Sequence, residues 1–352
     1  MKLFKTKRVP VIGLDIGSGS VRAIQLSRGA NGYRVEHFAT EPVGKGVVVE
    51  KSVRDIEAVS NAIERTIANS GTDADHCAIA VSGSAVFTKI ISLPSNLAEA
   101  DVESQVQVEA NQYVPYPLDE VSLDFEILGP STRSQDMVDI LLAASKSENV
   151  ESRQDAIGAA GLKAKVVDVE AFAIANAFDL IREREGLSKS ETIGVFDVGY
   201  DMSTLLVLRG GNVIYTRDHP FGSQLLEDDT MRQYDMDQEQ AGFYERGEDG
   251  PDDFEEAVLE PFQLNIVQQI NRALQFFASS NEYSPLGTIY LSGASMALPG
   301  IAEMVQQELG VTTRVADPVS GLEVAPSVPH ASLVRHSADL MVAVGLAMRG
   351  FD

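Results

Sequence analysis

Along the chain, the spacing of apolar positions changes from that of strands to that of helices and back several times. Residues 11–17 (VIGLDIG) form an apolar run ending in Asp-x-Gly, and after a short Ser-Gly-Ser turn the chain resumes as the strand VRAIQL. A second turn at 29–32 leads to YRVEHFA, a third strand by its alternation. The same order recurs at 193–199 (IGVFDVG), followed by the turn YDMS, the strand TLLVL, a turn at 210–212 and the strand VIYTRDH. Two copies of one β-meander are therefore expected, each opening its own α/β half.

After each meander the period lengthens. Ile56, Val59, Ile63 and Ile67 predict a helix over 55–69. The strands HCAIAVS and AVFTKIISL, a helix over 98–113, and the strands VSLDFEILG and DMVDILLAAS follow. The block at about 84–146 reads as an insertion with its own sheet, bordered by Ser82-Gly83-Ser84 and by 145–149. Val258, Phe262, Ile266, Ile270 and Leu274 place one apolar stripe on a long helix predicted over 252–283. The expected organisation is a first half over 1–168, rejoined by the C-terminal segment 336–352, and a second half over 169–335 with a helical part at about 222–286.

Composition narrows the functions. With 352 residues and 44% hydrophobic content the chain can build two or three packed cores. Its 52 acidic against 28 basic residues give a formal charge of −24, which repels nucleic acid in the absence of a basic patch. The single Cys77 excludes an intramolecular disulfide and a multi-cysteine zinc site, and it suits a reducing compartment. The basic N-terminus runs directly into a glycine-rich strand and not into a signal-peptide core, so a cytoplasmic location is expected. Lys2, Lys5, Lys7 and Arg8 suit either contact with anionic lipid or a solvated tail. The acidic stretch 227–260 reads as a solvated face, because it lacks the Asp-x-Asp-x-Asp-Gly spacing that gathers oxygens around calcium.

Candidate chemistry lies in the turns. Glycine and serine offer backbone N–H groups and hydroxyls to an anion with no bulky side chain in the way. The first turn supplies Asp15, Gly17, Ser18, Gly19 and Ser20, and its repeat supplies Asp197, Gly199, Ser203 and Thr204. A carboxylate tolerates neighbouring phosphate only through a bridging cation, so Asp15 and Asp197 are expected to hold Mg²⁺, directly or through water. A third segment, IYLSGASMALPGI, places Gly293, Ala294 and Ser295 after an apolar strand, where an adenine or ribose could approach. Each segment alone also suits an ordinary hairpin or strand-to-helix turn. Duplication of the Asp-x-Gly turn is what favours a clamp on one polyphosphate.

In this order the three segments resemble the two phosphate motifs and the adenosine motif of the actin, Hsp70 and sugar kinase superfamily. The resemblance implies an α/β, actin-like (ribonuclease H-like) duplicated fold, two domains around a cleft for ATP or ADP with Mg²⁺. Segments 167–178 and 337–350 resemble its two hinge helices, and Gly222 and Ser223 fall at its second-half nucleotide loop. Two departures bear on affinity: Ala294 stands where a second glycine is usual, and Ala241-Gly242 with Glu245 stand where the superfamily tends to have Ala-Glu and a lysine. Glu170, with Asp168 in reserve, is the candidate to position a hydrolytic water; an acid favoured by the dipole of a helix N-terminus is the alternative.

Residues 90–129 resemble the insertion of the PilM family of type IV pilus assembly proteins, as do residues 140–178, YTRDHPFGSQL and QINRALQFF. The FtsA family, cell-division actin homologues, shares the repositioned insertion but matches these pieces less well. The chain is identified as a member of the PilM family. That membership implies a nucleotide-binding scaffold with slow or no ATPase activity, acting in fimbrium biogenesis and twitching motility at the cytoplasmic face of the inner membrane. It also implies capture of the cytoplasmic N-terminal tail of PilN, which gives the membrane attachment and leads on to PilO and the pilus motor. Val114, Pro115, Tyr116, Pro117 and Leu118 are the groove candidates between core and insertion, although apolar residues spaced as Val106, Val108 and Val114 more often form the insertion's own core. An FtsA-like ATPase that self-associates into filaments is the alternative. A small-molecule kinase ranks lower, because no recognisable second-substrate residues are present.

Overall fold

The computed structural model describes residues 10–352 apart from 30–31, 83–84, 132–133, 135, 239, 242–250 and 281–285, so Lys2, Lys5, Lys7, Arg8, Gly83, Ser84, Gly242 and Glu245 lie outside the described residues. The first meander is β1 (Val11–Ile16), β2 (Ser20–Gly29) and β3 (Gly32–Pro42), followed by a small hairpin, β4 (Val48–Val49) and β5 (Ser52–Val53). Helix α1 (Ile56–Ser70) starts where the Asp55 carboxylate accepts from the Ala58 N–H and stops at Gly71, which takes a left-handed conformation. Strand β6 (His76–Val81) leads into the insertion, made of β7 (Val86–Pro94), α2 (Glu99–Tyr113), β8 (Val121–Pro130) and β9 (Met137–Lys146). Helix α3 (Ser147–Ala159) and β10 (Lys163–Val169) then return to the first sheet.

Helix α4 (Glu170–Glu185) crosses to the second meander, β11 (Thr192–Val198), β12 (Ser203–Arg209) and β13 (Asn212–His219). After α5 (Gln224–Tyr234) comes a π-type turn at Glu255–Leu259, continuous with α6 (Glu260–Ser280). The single helix expected over 252–283 thus has an irregular first turn. Pro261 has no N–H to give to residue 257, and the backbone widens there. Strand β14 (Thr288–Ser292), α7 (Ile301–Leu309), β15 (Thr312–Val315), β16 (Glu323–Val324), α8 (His330–Arg335) and α9 (Met341–Met348) complete the chain.

The duplication extends beyond the meanders. One sheet has the order β10-β6-β1-β2-β3-β16 and the other β13-β12-β11-β14-β15. Each opens with three antiparallel strands and adds two parallel ones beside the first, β6 and β10 or β14 and β15. The exception is β16, a two-residue strand paired in parallel with β3, so the chain rejoins the first sheet at 323–324, earlier than 336. Two residues are too few to show a period.

The halves share one core. Helix α4 contributes Ala173, Ala177, Phe178 and Ile181, packed with Val195, Leu206 and Tyr290 on one side and Ile24, Val35 and Leu346 on the other. Helices α4 and α9 touch backbone to backbone, since a Cβ on Gly345 would lie 1.8 Å from the Ala173 carbonyl oxygen. Helix α9 presses equally closely on β1, where a Cβ on Gly13 would lie 2.0 Å from the Ala343 oxygen. The insertion has a core of its own around Ile91, Val102, Val106, Val114, Ile140 and Leu142. Val108 is 57% exposed and takes no part; two positions from Val106 on a helix, it faces away. Among the described residues no helix is long and apolar enough to cross a membrane.

Candidate functional site

Both meanders turn in the same way. In the first, Asp15 pairs with Arg22 across β1 and β2, and the Gly17 N–H donates to the Ser20 carbonyl at 3.0 Å. In the second, Asp197 pairs with Thr204 across β11 and β12, and the Gly199 N–H donates to the Met202 carbonyl, also at 3.0 Å. The turns face each other so closely that a Cβ on Gly19 would lie 3.0 Å from the Tyr200 side chain. The cleft between them is lined by Asp15, Gly17, Ser18 and Gly19 from the first turn and by Asp197 and Gly199 from the second.

Two cations stand in this cleft, neither anticipated as a site residue. The Arg22 guanidinium bridges Asp15 at 2.8 Å and Asp339 at 2.5 Å. Burial disfavours its charge, but the two carboxylates outweigh that and raise its pKa above the usual arginine value. The Lys51 ammonium donates to Glu170 at 2.6 Å and to the Thr204 hydroxyl at 3.1 Å. Burial again opposes the charge and is outweighed, here by Glu170, Asp218 and Asp197, so Lys51 is also raised. Asp339 moves the other way for a carboxylate: burial, helped by Asp15 and Asp197 and opposed by Arg22, lifts it to about 7. Arg22 lies seven residues after Asp15, as Thr204 does after Asp197, so the repeat could have pointed to it. Nothing local in the sequence singles out Lys51 or Asp339.

Several predicted residues serve the scaffold instead of the cleft. The Ser203 hydroxyl is fully buried and donates to the Phe221 carbonyl, away from the opening. Gly222 and Ser223 are zipped behind the second turn: the Ser223 N–H donates to the Gly199 carbonyl, and a Cβ on Gly222 would lie 2.1 Å from the Tyr200 carbonyl oxygen. At Gly293 the Val198 carbonyl oxygen lies 2.0 Å from where a Cβ would stand, so the close approach of that backbone requires glycine. Ala294 opens a short 3₁₀ turn, Ala294–Ala297. Ser20 contributes its backbone to the first turn. Asp168 is outside the cleft and pairs with Arg349 at 3.1 Å. Glu170 is in it, as the first residue of α4, 8% exposed.

The donor chemistry fits a phosphorylated ligand. The Ser18 and Ser295 hydroxyls are buried with no hydrogen-bond partner, an arrangement that costs about 1–3 kcal/mol each unless a ligand or water meets them. The cleft between the turns holds about 50 Å³. Among the described residues no three His, Cys, Asp or Glu side chains gather as a metal site. Magnesium beside Asp15 or Asp197 would therefore take most of its ligands from phosphate and water.

A second, larger cavity of about 370 Å³ opens between the core and the insertion, walled by Glu50, Lys51, Tyr116, Lys146, Glu148 and Arg153 among others. Of the groove candidates, Tyr116 lines this cavity at 41% exposure with the Lys146 ammonium 4.7 Å from its ring centre. Pro115 and Pro117 are exposed beside it. Val114 is buried in the insertion core and Leu118 packs against it, which removes both from the groove surface.

The duplicated sheets, the paired turns and the two crossing helices define a protein of the actin-like ATPase fold. The structure is similar to the solved "PilM-PilN type IV pilus biogenesis complex" (TM-score 0.79, 26% identity, covering 98% of this chain and 99% of that one). It is similar in fold to the ethanolamine utilization protein EutJ from Carboxydothermus hydrogenoformans (TM-score 0.57, 14% identity, 96% and 89% covered). It also matches MreB 5 of Spiroplasma citri bound to AMPPNP (TM-score 0.50, 12% identity, 99% and 97% covered). The family model described as "Type IV pilus assembly protein PilM" matches residues 13–351. The chain belongs to the PilM family of type IV pilus assembly proteins.

Proposed function

We propose that this chain is an adenine-nucleotide-binding scaffold of the type IV pilus assembly platform, which holds ATP or ADP with Mg²⁺ between its halves and captures the cytoplasmic N-terminal tail of PilN. The observation that carries the nucleotide part is the pair of opposed Asp-x-Gly turns, with the unpartnered Ser18 hydroxyl inside one of them. In this reading the N–H groups and hydroxyls of the two turns hold the phosphates, Asp15 and Asp197 hold the metal, and Ser295 meets the nucleoside. The metal supplies charge neutralisation and Lewis acidity when bound. Glu170 lines the cleft, but its carboxylate is engaged by Lys51, which favours slow or absent hydrolysis.

Similarity to a solved PilM-PilN complex over nearly the whole of both chains supports PilN as the partner. The cavity at the insertion, rimmed by Tyr116, is the surface offered to its tail. Attachment to the cytoplasmic face of the inner membrane, and contact with PilO and the pilus motor, then run through PilN. Titration calorimetry tests the nucleotide part: Mg-ATP should bind the wild type, and Asp197→Ala should weaken it tenfold or more, the loss of one charge-assisted contact of about 1.5–3 kcal/mol. Absence of binding by the wild type rules it out. Capture of a PilN tail peptide, undiminished in a folded variant lacking residues 90–128, would place the partner site elsewhere.

A further inference from the structure

The cavity between core and insertion has a charge balance opposite to that of the chain as a whole. Acidic residues outnumber basic ones 52 to 28 overall, yet the walls of this space of about 370 Å³ bring four cations, Lys51, Arg54, Lys146 and Arg153, against two carboxylates, Glu50 and Glu148. Lys51 turns its ammonium into the cleft, to Glu170. The other three belong to the cavity wall, and among the described residues none of them forms an ion pair. Arg153 is 3% exposed, and a guanidinium so buried is ordinarily matched by a carboxylate, as Arg22 is by Asp15 and Asp339. Its hydrogen bonds run instead to neutral carbonyls, that of Ile16 at 3.3 Å and that of Lys51 at 2.6 Å. Burial lowers its pKa, and Glu170 and Asp15 oppose this without touching it. The Lys146 ammonium rests 4.7 Å from the centre of the Tyr116 ring, and Arg54 is exposed. Helix α3 starts at the same wall with no side-chain cap on its first turn, which adds N–H groups of the same polarity.

We propose that this cavity is an anion site separate from the nucleotide cleft, which binds a phosphate group of a small soluble ligand between Arg54, Lys146 and Arg153, and that its occupancy closes the cavity to the partner's tail. The exclusion of the tail rests on the placement of that tail given above; the anion site does not. What the walls lack is a counter-charge. In a chain with so many carboxylates, three cations around one opening and in no ion pair leave a positive potential that an anionic ligand can meet. Arg54 follows β5, Lys146 ends β9 and Arg153 lies on α3, so the donors arrive from three elements. A phosphate offers an oxygen to each of them, whereas one carboxylate has only two. The volume exceeds the need of one phosphate and falls at the lower end of ordinary ligand pockets, about 300–1,000 Å³. An organic body thus has room beside the Tyr116 ring. In the nucleotide cleft, by contrast, Arg22 and Lys51 are already engaged by carboxylates.

The chain has no tryptophan, so Tyr116→Trp places one fluorescent reporter in the cavity wall. Inorganic pyrophosphate is titrated into the full chain without magnesium, at an ionic strength held constant with chloride, and succinate serves as the carboxylate arm. Calorimetry on the unsubstituted chain checks the reporter, and melting curves check the folding of each variant. Pyrophosphate should give a saturable change and bind about tenfold more tightly than succinate. Arg54→Gln and Lys146→Gln should each weaken it about tenfold. In anisotropy, pyrophosphate should displace a labelled PilN tail peptide from the wild type. A response no larger than that to added chloride, equal binding of succinate, or unchanged pyrophosphate affinity in both folded variants overturns the site. A peptide that stays bound at saturating pyrophosphate overturns the exclusion alone. A wild type that binds pyrophosphate but no peptide refutes the tail reading and supports the anion site by itself. Should the reporter variant not fold, the calorimetric affinities of the wild type and Arg54→Gln decide in the same way.

Discussion

The two turns share a backbone and differ in where their positive charge comes from. In the first half the partner seven residues beyond the aspartate is Arg22, so the cation that neutralises Asp15 arrives with the strand register. In the second half the same position is Thr204, and the ammonium beside it belongs to Lys51, from the other side of the cleft. The Asp15–Arg22 pair of the first site is made within its own sheet. The second site receives its cation only when the halves meet. A duplicated backbone thus became one fixed site and one that responds to closure, because charge can be moved between halves without altering the turn that displays it.

Removing the cations should separate the two sites most sharply. Arg22→Met leaves Asp15 and Asp339 buried without a counter-ion, and breaking a buried pair by deleting one partner costs about 3–5 kcal/mol. Lys51→Met should cost only about 1.5 kcal/mol, because the partner left behind, Glu170, begins α4 and is favoured by the helix N-terminus. Urea unfolding measures both, and equal losses would break the comparison.

A smaller contrast is expected from the glycines. A Cβ on Gly199 or Gly222 would lie 2.6 Å or 2.1 Å from a backbone oxygen, whereas one on Gly17 meets its nearest atoms at 3.2 Å. Gly222→Ala should therefore cost about 3 kcal/mol and Gly17→Ala less than about 1 kcal/mol, on the scale of overpacked sites. If Gly17→Ala proves the worse in the same unfolding assay, the second turn is not the more tightly backed of the two.

The smallest effect concerns pH. Asp339 titrates near 7 in the folded chain against an ordinary value of 3.8. The folded state thus binds its proton more tightly than the unfolded one. Its contribution to stability is complete below about pH 4 and is lost as pH rises through 7. Asp339→Asn should flatten the decline in melting temperature between pH 5 and 8. An unchanged slope would show that the Arg22 pair fully offsets the burial.

Most of the fold was legible in the sequence because strand and helix periods are local signals. The two meanders, α1, and the strands and helix of residues 86–146 all lie close to where the pattern put them. The misses have physical causes. At Gly293 the glycine lets the Val198 backbone approach on the side where a Cβ would stand, a close contact that sequence alone does not show. Val108 was grouped with Val106 by apolar character, although two positions apart on a helix they cannot share a face. Asp168 was placed near the phosphate turns by its position before the linking helix, yet its pairing with Arg349 depends on a C-terminal segment that returns from the other half.

Sequence by itself determined the duplication, the two Asp-x-Gly turns and the family, since a repeated run of apolar residues ending in the same turn specifies the same local structure wherever it occurs. The tertiary structure alone decided which charges meet across the cleft. Lys51 and Glu170, or Arg22 and Asp339, are far apart along the chain and carry no local pattern. They come together because the close approach of α4, α9 and β1 through Gly13, Ala173 and Gly345 fixes how the two sheets face each other.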